Sequence, residues 1–270
     1  MGDFKSATYF LRSDMEAPGP ATAGPGQACV FSSACPGREG PNEDAALVIE
    51  LDEHRCVLAL ADGFGGHPSG AKAAETALLS IEAAFGGQAD GGEGLVAAIV
   101  AGFEEANRAV REWGIGAATT LSLVAVDGNR ARSCHVGDSA ILVTGQRGRV
   151  KLRPIAHSPV GYAVESGFMD EREAMNHEER HIVSNMIGSE DMHIELGPVL
   201  KLAPRDTLLI GSDGLWDNVM FDEVIDTIRQ GPLTSRVRDL ARLSHTRMNS
   251  PRESEPSKPD DLTMVAFRLR

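Results

Sequence analysis

Between Leu58 and Gly70 the sequence reads LALADGFGGHPSG, and no other stretch limits the chain so much. The apolar run Leu58 to Ala61 is the pattern of a buried strand. It ends on a carboxylate, Asp62, followed at once by Gly63, Gly65 and Gly66, and a helix-patterned segment opens near Ser69. Asp-Gly is also a common tight turn, but a turn needs one glycine. Three within four residues, beside an acid at the mouth of a buried strand, point to backbone that must approach something closely, a metal or a phosphate.

Length and charge narrow the classes. The chain has 270 residues, enough for a substantial core. Its 39 acidic residues against 26 Lys and Arg give a net charge of −13. That balance argues against a nucleic-acid partner, which needs a basic footprint. It suits both a solvated acidic surface and acid clusters neutralised by cations. No apolar run approaches the roughly 18 residues of a membrane span, so no membrane insertion is expected. The opening MGDFKSATYFLRSDME is too polar for a secretory signal. Cys29, Cys35, Cys56 and Cys134 show no CxxC spacing and read as reduced, buried thiols of a cytoplasmic protein.

In chain order, residues 1–26 end in APGPATAGPG and read as a flexible lead-in. Residues 27–270 form one domain. A loop, 36–44, delivers Arg38, Asn42, Glu43 and Asp44 to a strand, 45–51, joined by a polar turn to the strand 56–61. Two strands so joined are antiparallel neighbours, so Asp44, entering one, and Asp62, leaving the other, share one end of a sheet. Two amphipathic helices follow, with apolar stripes at Ala74, Ala77, Leu78, Ile81, Phe85 and at Leu95, Ile99, Phe103, Ala106, Val110. Strands are expected at 119–126, 131–136 and 140–143, then a polar excursion at about 157–187. Strands at 194–202 and 207–210, helices at 222–229 and 235–247, a loop at 249–259 and a strand at 262–269 close the chain.

An apolar strand bordered by an aspartate recurs. Asp62-Gly63, Asp138-Ser139, Asp213-Gly214 and Asp260-Asp261 share the arrangement, and Asp44 opens a strand beside them. Any one alone is a turn cap. Gathered at one edge they would repel one another unless protonated or neutralised by cations. An all-oxygen donor set selects hard ions such as Mg2+ or Mn2+. Two such ions activate water and clamp a phosphoryl group. No Gly-x-Ser-x-Gly or Cys-x5-Arg motif competes.

NEDA (42–45), ADGFGGH (61–67), TTL (119–121), HVGDS (135–139), SDGLWDN (212–218) and PDDLT (259–263) occur in that order. Together they resemble the metal-dependent protein phosphatase family, PPM or PP2C, in its bacterial form. The resemblance implies an α+β fold, a four-layer α-β-β-α sandwich with two central antiparallel sheets. It implies hydrolysis of phosphoserine and phosphothreonine in proteins, the products of a Ser/Thr kinase, through metal-activated water at a binuclear Mn2+ or Mg2+ centre. By motif, Asp62 resembles the carboxylate bridging two ions, and the Gly63 carbonyl a ligand of one of them. Asp213 and Asp260 resemble ligands of one ion. Asp44, with Glu43, stands near the other through water. Asp138 and Asp217 resemble the pair that holds a third ion, and 157–187 resembles a flap beside the cleft.

The chain departs from the family pattern in places. Arg38, six residues before Asp44 instead of five, is the candidate for clamping substrate phosphate. Phe64 stands where eukaryotic members carry a histidine, and His67 reads as structural at a helix start. The last motif has Asp261 in the place of an asparagine. His157 and Ser158, at the start of the excursion, read as loop residues, and Trp216 as core packing. Two other readings stay open: a catalytically silent module that binds phosphoproteins, and a two-metal phosphoesterase for small molecules.

Overall fold

A computed structural model describes residues 4–64, 68–86, 91–252 and 255–269. Thirteen strands are assigned among them: β1 (Ser6–Leu11), β2 (Gly19–Ala23), β3 (Gly26–Ser33), β4 (Asp44–Glu50), β5 (Arg55–Phe64), β6 (Ala118–Thr119), β7 (Leu121–Asp127), β8 (Arg130–Val136), β9 (Ala140–Thr144), β10 (Val150–Leu152), β11 (Glu195–Lys201), β12 (Thr207–Gly211) and β13 (Leu262–Leu269). The helices are α1 (Pro68–Phe85), α2 (Gly91–Arg111), α3 (Pro159–Glu165), α4 (Glu171–Ala174), α5 (Asp213–Trp216), α6 (Phe221–Ile228) and α7 (Leu233–Asn249). No helix among the described residues is long and apolar enough to cross a membrane.

The strands form two antiparallel sheets. One runs β1-β4-β5-β7-β8-β11, with β6 paired to β5; the other runs β10-β9-β12-β13-β3-β2. Strands buried on both faces need apolar side chains at successive positions, and β4 and β5 have them. Leu47, Ile49, Val57 and Ala59 face Leu78, Ile81, Ile99 and Phe103 of α1 and α2. Val48, Leu58 and Leu60 turn the other way, onto Val30, Ile141 and Val265 of the second sheet. That sheet covers its far side with α6 and α7 through Val224, Ile228 and Leu240. The result is the expected helix-sheet-sheet-helix sandwich, with the facing sides of the two sheets sharing one apolar layer.

Within the stretch expected as a loose lead-in, residues 6–11 and 19–23 are strands. β1 pairs along β4 from Ser6↔Glu50 to Leu11↔Ala45, and β2 pairs β3 from Gly19↔Val30 to Ala23↔Gly26. Tyr9 and Leu11 pack on the helix-facing core and Tyr9 donates a 2.6 Å hydrogen bond to Glu82. The proline content that reads as disorder is compatible with a sheet edge, where a missing N–H costs nothing. The strand expected at 119–126 is broken at Thr120, whose backbone serves Asp62 instead of a ladder. Gly65, Gly66 and His67 lie outside the described residues.

Candidate metal centre

Asp44 and Asp62 are register partners at the ends of β4 and β5. Their rim is held by the short motifs that the sequence brings from far away. Asp62 N–H donates to Thr120 Oγ1 at 3.0 Å, and Thr120 N–H donates back to the Asp62 carbonyl at 2.8 Å. Thr120 Oγ1 also meets Ser139 Oγ at 2.8 Å, tying TTL to GDS. Gly137 fits between them with φ +109°; a Cβ there would lie 2.5 Å from Thr120 Cγ2.

The second sheet supplies the opposite wall. Ser212, after β12, donates 2.7 Å to Asp44 Oδ2 and accepts 3.0 Å from Thr263 N–H. Asn42 donates to Ser32 Oγ at 2.9 Å, and Ser32 meets Thr263 Oγ1 at 2.8 Å. This buried hydroxyl chain joins both sheets beneath the acids. Gly214 packs so closely on the Asp261-Leu262 backbone that a Cβ would lie 2.0 Å from the Asp261 carbonyl oxygen. Gly63 is fixed similarly: its Cβ would lie 2.3 Å from Gly70 O, in the first turn of α1.

Seven aspartates, Asp44, Asp62, Asp138, Asp213, Asp217, Asp260 and Asp261, meet at this junction. Burial, then the charges of Asp44, Asp213, Asp260 and Asp138, hold the Asp62 carboxyl well above the usual range. Asp44, 1 % exposed, is raised in the same way by burial, Asp261 and Asp213. Burial with Asp213 and Asp217 pushes Asp138 to about 8, and burial with Asp213 pushes Asp260 to about 6. Burial and Asp213 also raise Asp217. Among the described residues, Asp44 Oδ1 and Asp138 Oδ1 are buried without a hydrogen-bond partner. Oxygen donors that are crowded, buried and short of protons fit hard divalent cations.

The other candidates line the same rim. The Glu43 carboxyl lies against Gly70, whose Cβ would be 3.1 Å from Glu43 Cδ. Arg38, with a side chain 40 % exposed, donates to Asp261 and stands 3.8 Å from Asp260 Oδ1. Asp261 is buried and occupied: it also accepts from Cys35 N–H at 2.7 Å and Glu43 N–H at 2.8 Å. It organises backbone, and is neither solvated nor open to an ion. Trp216 packs as expected and donates 2.9 Å to the Gly211 carbonyl.

Two features escape a reading of the sequence. Lys258, inside a segment that reads as flexible loop, places its ammonium among Asp213, Asp217 and Asp260. His157 lies in a loop, as read, but is buried there and anchors the excursion. Its Nδ1 accepts from Gly137 N–H at 3.1 Å, so its proton sits on Nε2, 3.2 Å from Glu195 Oε2. Asn185 donates to the same Nδ1 at 2.9 Å, and His135 stacks on the ring at 4.3 Å. His135, His157 and Glu195 bring ligand atoms within 4.8 Å of one another. The protonated Nε2 nevertheless makes this a hydrogen-bonded hinge and not a metal cage. The excursion itself, α3, α4 and a short 3-10 turn, Glu178–His181, lies between β10 and β11 and meets the sheet again through Ile187 and Thr119. A cavity of about 210 Å3 separates it from the rim, bordered by Arg153, Val164, Arg180, Asp138, Asp213 and Asp217.

A two-sheet sandwich with a carboxylate-lined junction is the architecture of metal-dependent phosphatases, and comparison with known proteins agrees. The model for the protein phosphatase 2C family matches residues 34–248. The chain belongs to that family. It is 30% identical over 200 residues to protein phosphatase PhpP of Streptococcus pneumoniae serotype 2, an alignment covering 71% of this chain and 80% of that one. Its fold is similar to the serine/threonine phosphatase of S. agalactiae, with TM-score 0.78, 25% identity and coverage of 91% and 100% of the two chains. It also resembles the catalytic domain of PstP solved in complex with two manganese ions, with TM-score 0.69, 23% identity and coverage of 90% and 97%.

Proposed function

We propose that this chain is a metal-dependent serine/threonine protein phosphatase that uses Mn2+ or Mg2+ to hydrolyse phosphoserine and phosphothreonine in proteins. The observation that carries the reading is the meeting of Asp44, Asp62, Asp138, Asp213 and Asp260 from separate segments, with buried oxygens left unpaired. Asp62, the Gly63 carbonyl, Asp213 and Asp260 would hold two ions, with Asp44 and Glu43 beside the second. Bound, such ions supply Lewis acidity and bring the pKa of their water from 15.7 towards about 7.

The chain's own groups do the rest. Thr119 and Thr120 fix the Asp62 backbone, and Ser212 orients Asp44. Arg38, tied to Asp261, presents a half-exposed guanidinium at the edge of the rim, where a phosphate dianion would find a cationic partner. Asp138 and Asp217 border the third position, whose occupant is argued below. Phosphoproteins made by a Ser/Thr kinase are the proposed substrates. The four free thiols, all buried, support a reducing, cytoplasmic setting.

The test is release of phosphate from a phosphothreonine peptide. The reading requires turnover that depends on Mn2+, stops with EDTA, is lost in Asp62→Asn, and exceeds turnover of nucleotides. No turnover with Mn2+ would leave a silent phosphoprotein-binding module, and preference for nucleotides a small-molecule phosphoesterase.

A further inference from the structure

The carboxylates farthest inside the rim already share a cation that belongs to the chain. The Lys258 ammonium donates to Asp213 Oδ2 and lies 2.9 Å from Asp217 Oδ2 and 3.4 Å from Asp260 Oδ2. Of the three contacts, that with Asp213 is a hydrogen bond and those with Asp217 and Asp260 are ion pairs. The lysine side chain is only 21 % exposed.

The backbone behind it is clamped. Asn218, fully buried, accepts from Lys258 N–H at 2.8 Å and donates to the Lys258 carbonyl at 2.8 Å. The same amide donates 3.0 Å to the Gly214 carbonyl, next to Asp213. On the preceding residue, Ser257 Oγ donates 2.8 Å to the Arg247 carbonyl, and Arg180 of the excursion donates 3.0 Å to the Ser257 carbonyl. Pro259 follows and restricts the backbone before Asp260. A solvated loop lysine has no such fixings.

We propose that Lys258 is a built-in cation that takes the third position of this centre, so that divalent ions fill two positions and not three. The proposal rests on the two-ion reading above. Its physical content is competition: an ammonium 2.9 Å from Asp217 Oδ2 repels a divalent ion at that carboxylate, and its attachment to the chain gives it a high local concentration. Unlike a metal ion it has no vacant orbital for a water oxygen, so it neutralises charge without supplying a Lewis acid. Asp138, with Oδ1 unpaired, then borders the rim without holding a third ion.

Stoichiometry decides, and it is read without turnover. Calorimetric titration of the metal-free protein with Mn2+ should give two ions per chain for the wild type, three for Lys258→Met, and two again for Lys258→Arg, which keeps the charge. Asp217→Asn should leave the wild-type count at two, which covers the event that Lys258→Met does not fold. Three ions in the wild type, or no gain in Lys258→Met, overturns the proposal while sparing the two-ion centre. No ion bound at all removes the centre itself and the proposal with it.

Discussion

Asp44 and Asp62 stand directly opposite each other in the antiparallel register of β4 and β5. Like charges so placed destabilise a sheet, and Asp44 is buried as well. The chain keeps an arrangement that costs stability, as a site for cations must when no cation is bound.

The cost is measurable. Asp44→Asn keeps the acceptor for Ser212 and removes a buried charge. In EDTA the variant should be more stable by about 1–2 kcal/mol. For a domain of this size that raises Tm by roughly 2–8 °C. Added Mn2+ should stabilise the variant less than the wild type. A lower Tm in EDTA would contradict the account.

Gly214→Ala tests how the walls are joined. A Cβ would meet the Asp261 carbonyl oxygen at 2.0 Å, so the Asp213 and Asp260 segments must separate. Overpacking of this kind costs about 1–3 kcal/mol. Mn2+ affinity, followed by titration, should fall with it; unchanged affinity would show that the contact does not set the ligand spacing.

Arg38→Ala removes a guanidinium at the exposed edge of the rim. Loss of a charge-assisted grip on phosphate should raise KM about tenfold with a smaller change in kcat. An unchanged KM would leave Arg38 as a tether for Asp261 alone.

His157 gives the excursion a pH dependence. Burial, then neighbouring His135, lowers its pKa to about 4 from the ordinary histidine value, against the opposing pull of Glu195; His193 lowers it further. The neutral form is the folded form, so its stabilisation is complete above pH ~6.5 and is lost as pH falls through that value towards 4. At pH 5 the loss should be about 1 kcal/mol, with allowance for solvent near Glu195. His157→Gln should flatten the acid limb of the denaturation profile between those values. A limb of unchanged slope would refute the role.

Much of this was legible because the strands carry their own pattern. The run Leu58 to Ala61 is apolar at every position because both faces of β5 are covered, and Asp62 stands out against it. The antiparallel turn at 52–55 was enough to place Asp44 beside Asp62. β1 and β2 were not legible, because an edge strand takes its conformation from a neighbour, here β4 and β3, and Pro20 reads the same in a loop. The break at Thr120 was hidden for a similar reason: its partner, Asp62, is 58 residues away. Lys258 had no signal in its own segment. Its importance arises only where Asp213, Asp217 and Asp260 meet around it, and a lysine preceding a proline in a polar loop carries no trace of that. The hydroxyls of Ser32, Ser212 and Thr263 were a visible clue, as polar residues at the ends of otherwise apolar strands.

The most direct measurement is anomalous diffraction at the manganese edge from crystals grown with Mn2+. The account predicts two peaks about 3.5–4 Å apart, with the Asp62 carboxylate between them, Asp213 and Asp260 on one, and the Lys258 ammonium beside Asp217. Peaks far from Asp62, or none at the rim, would contradict it.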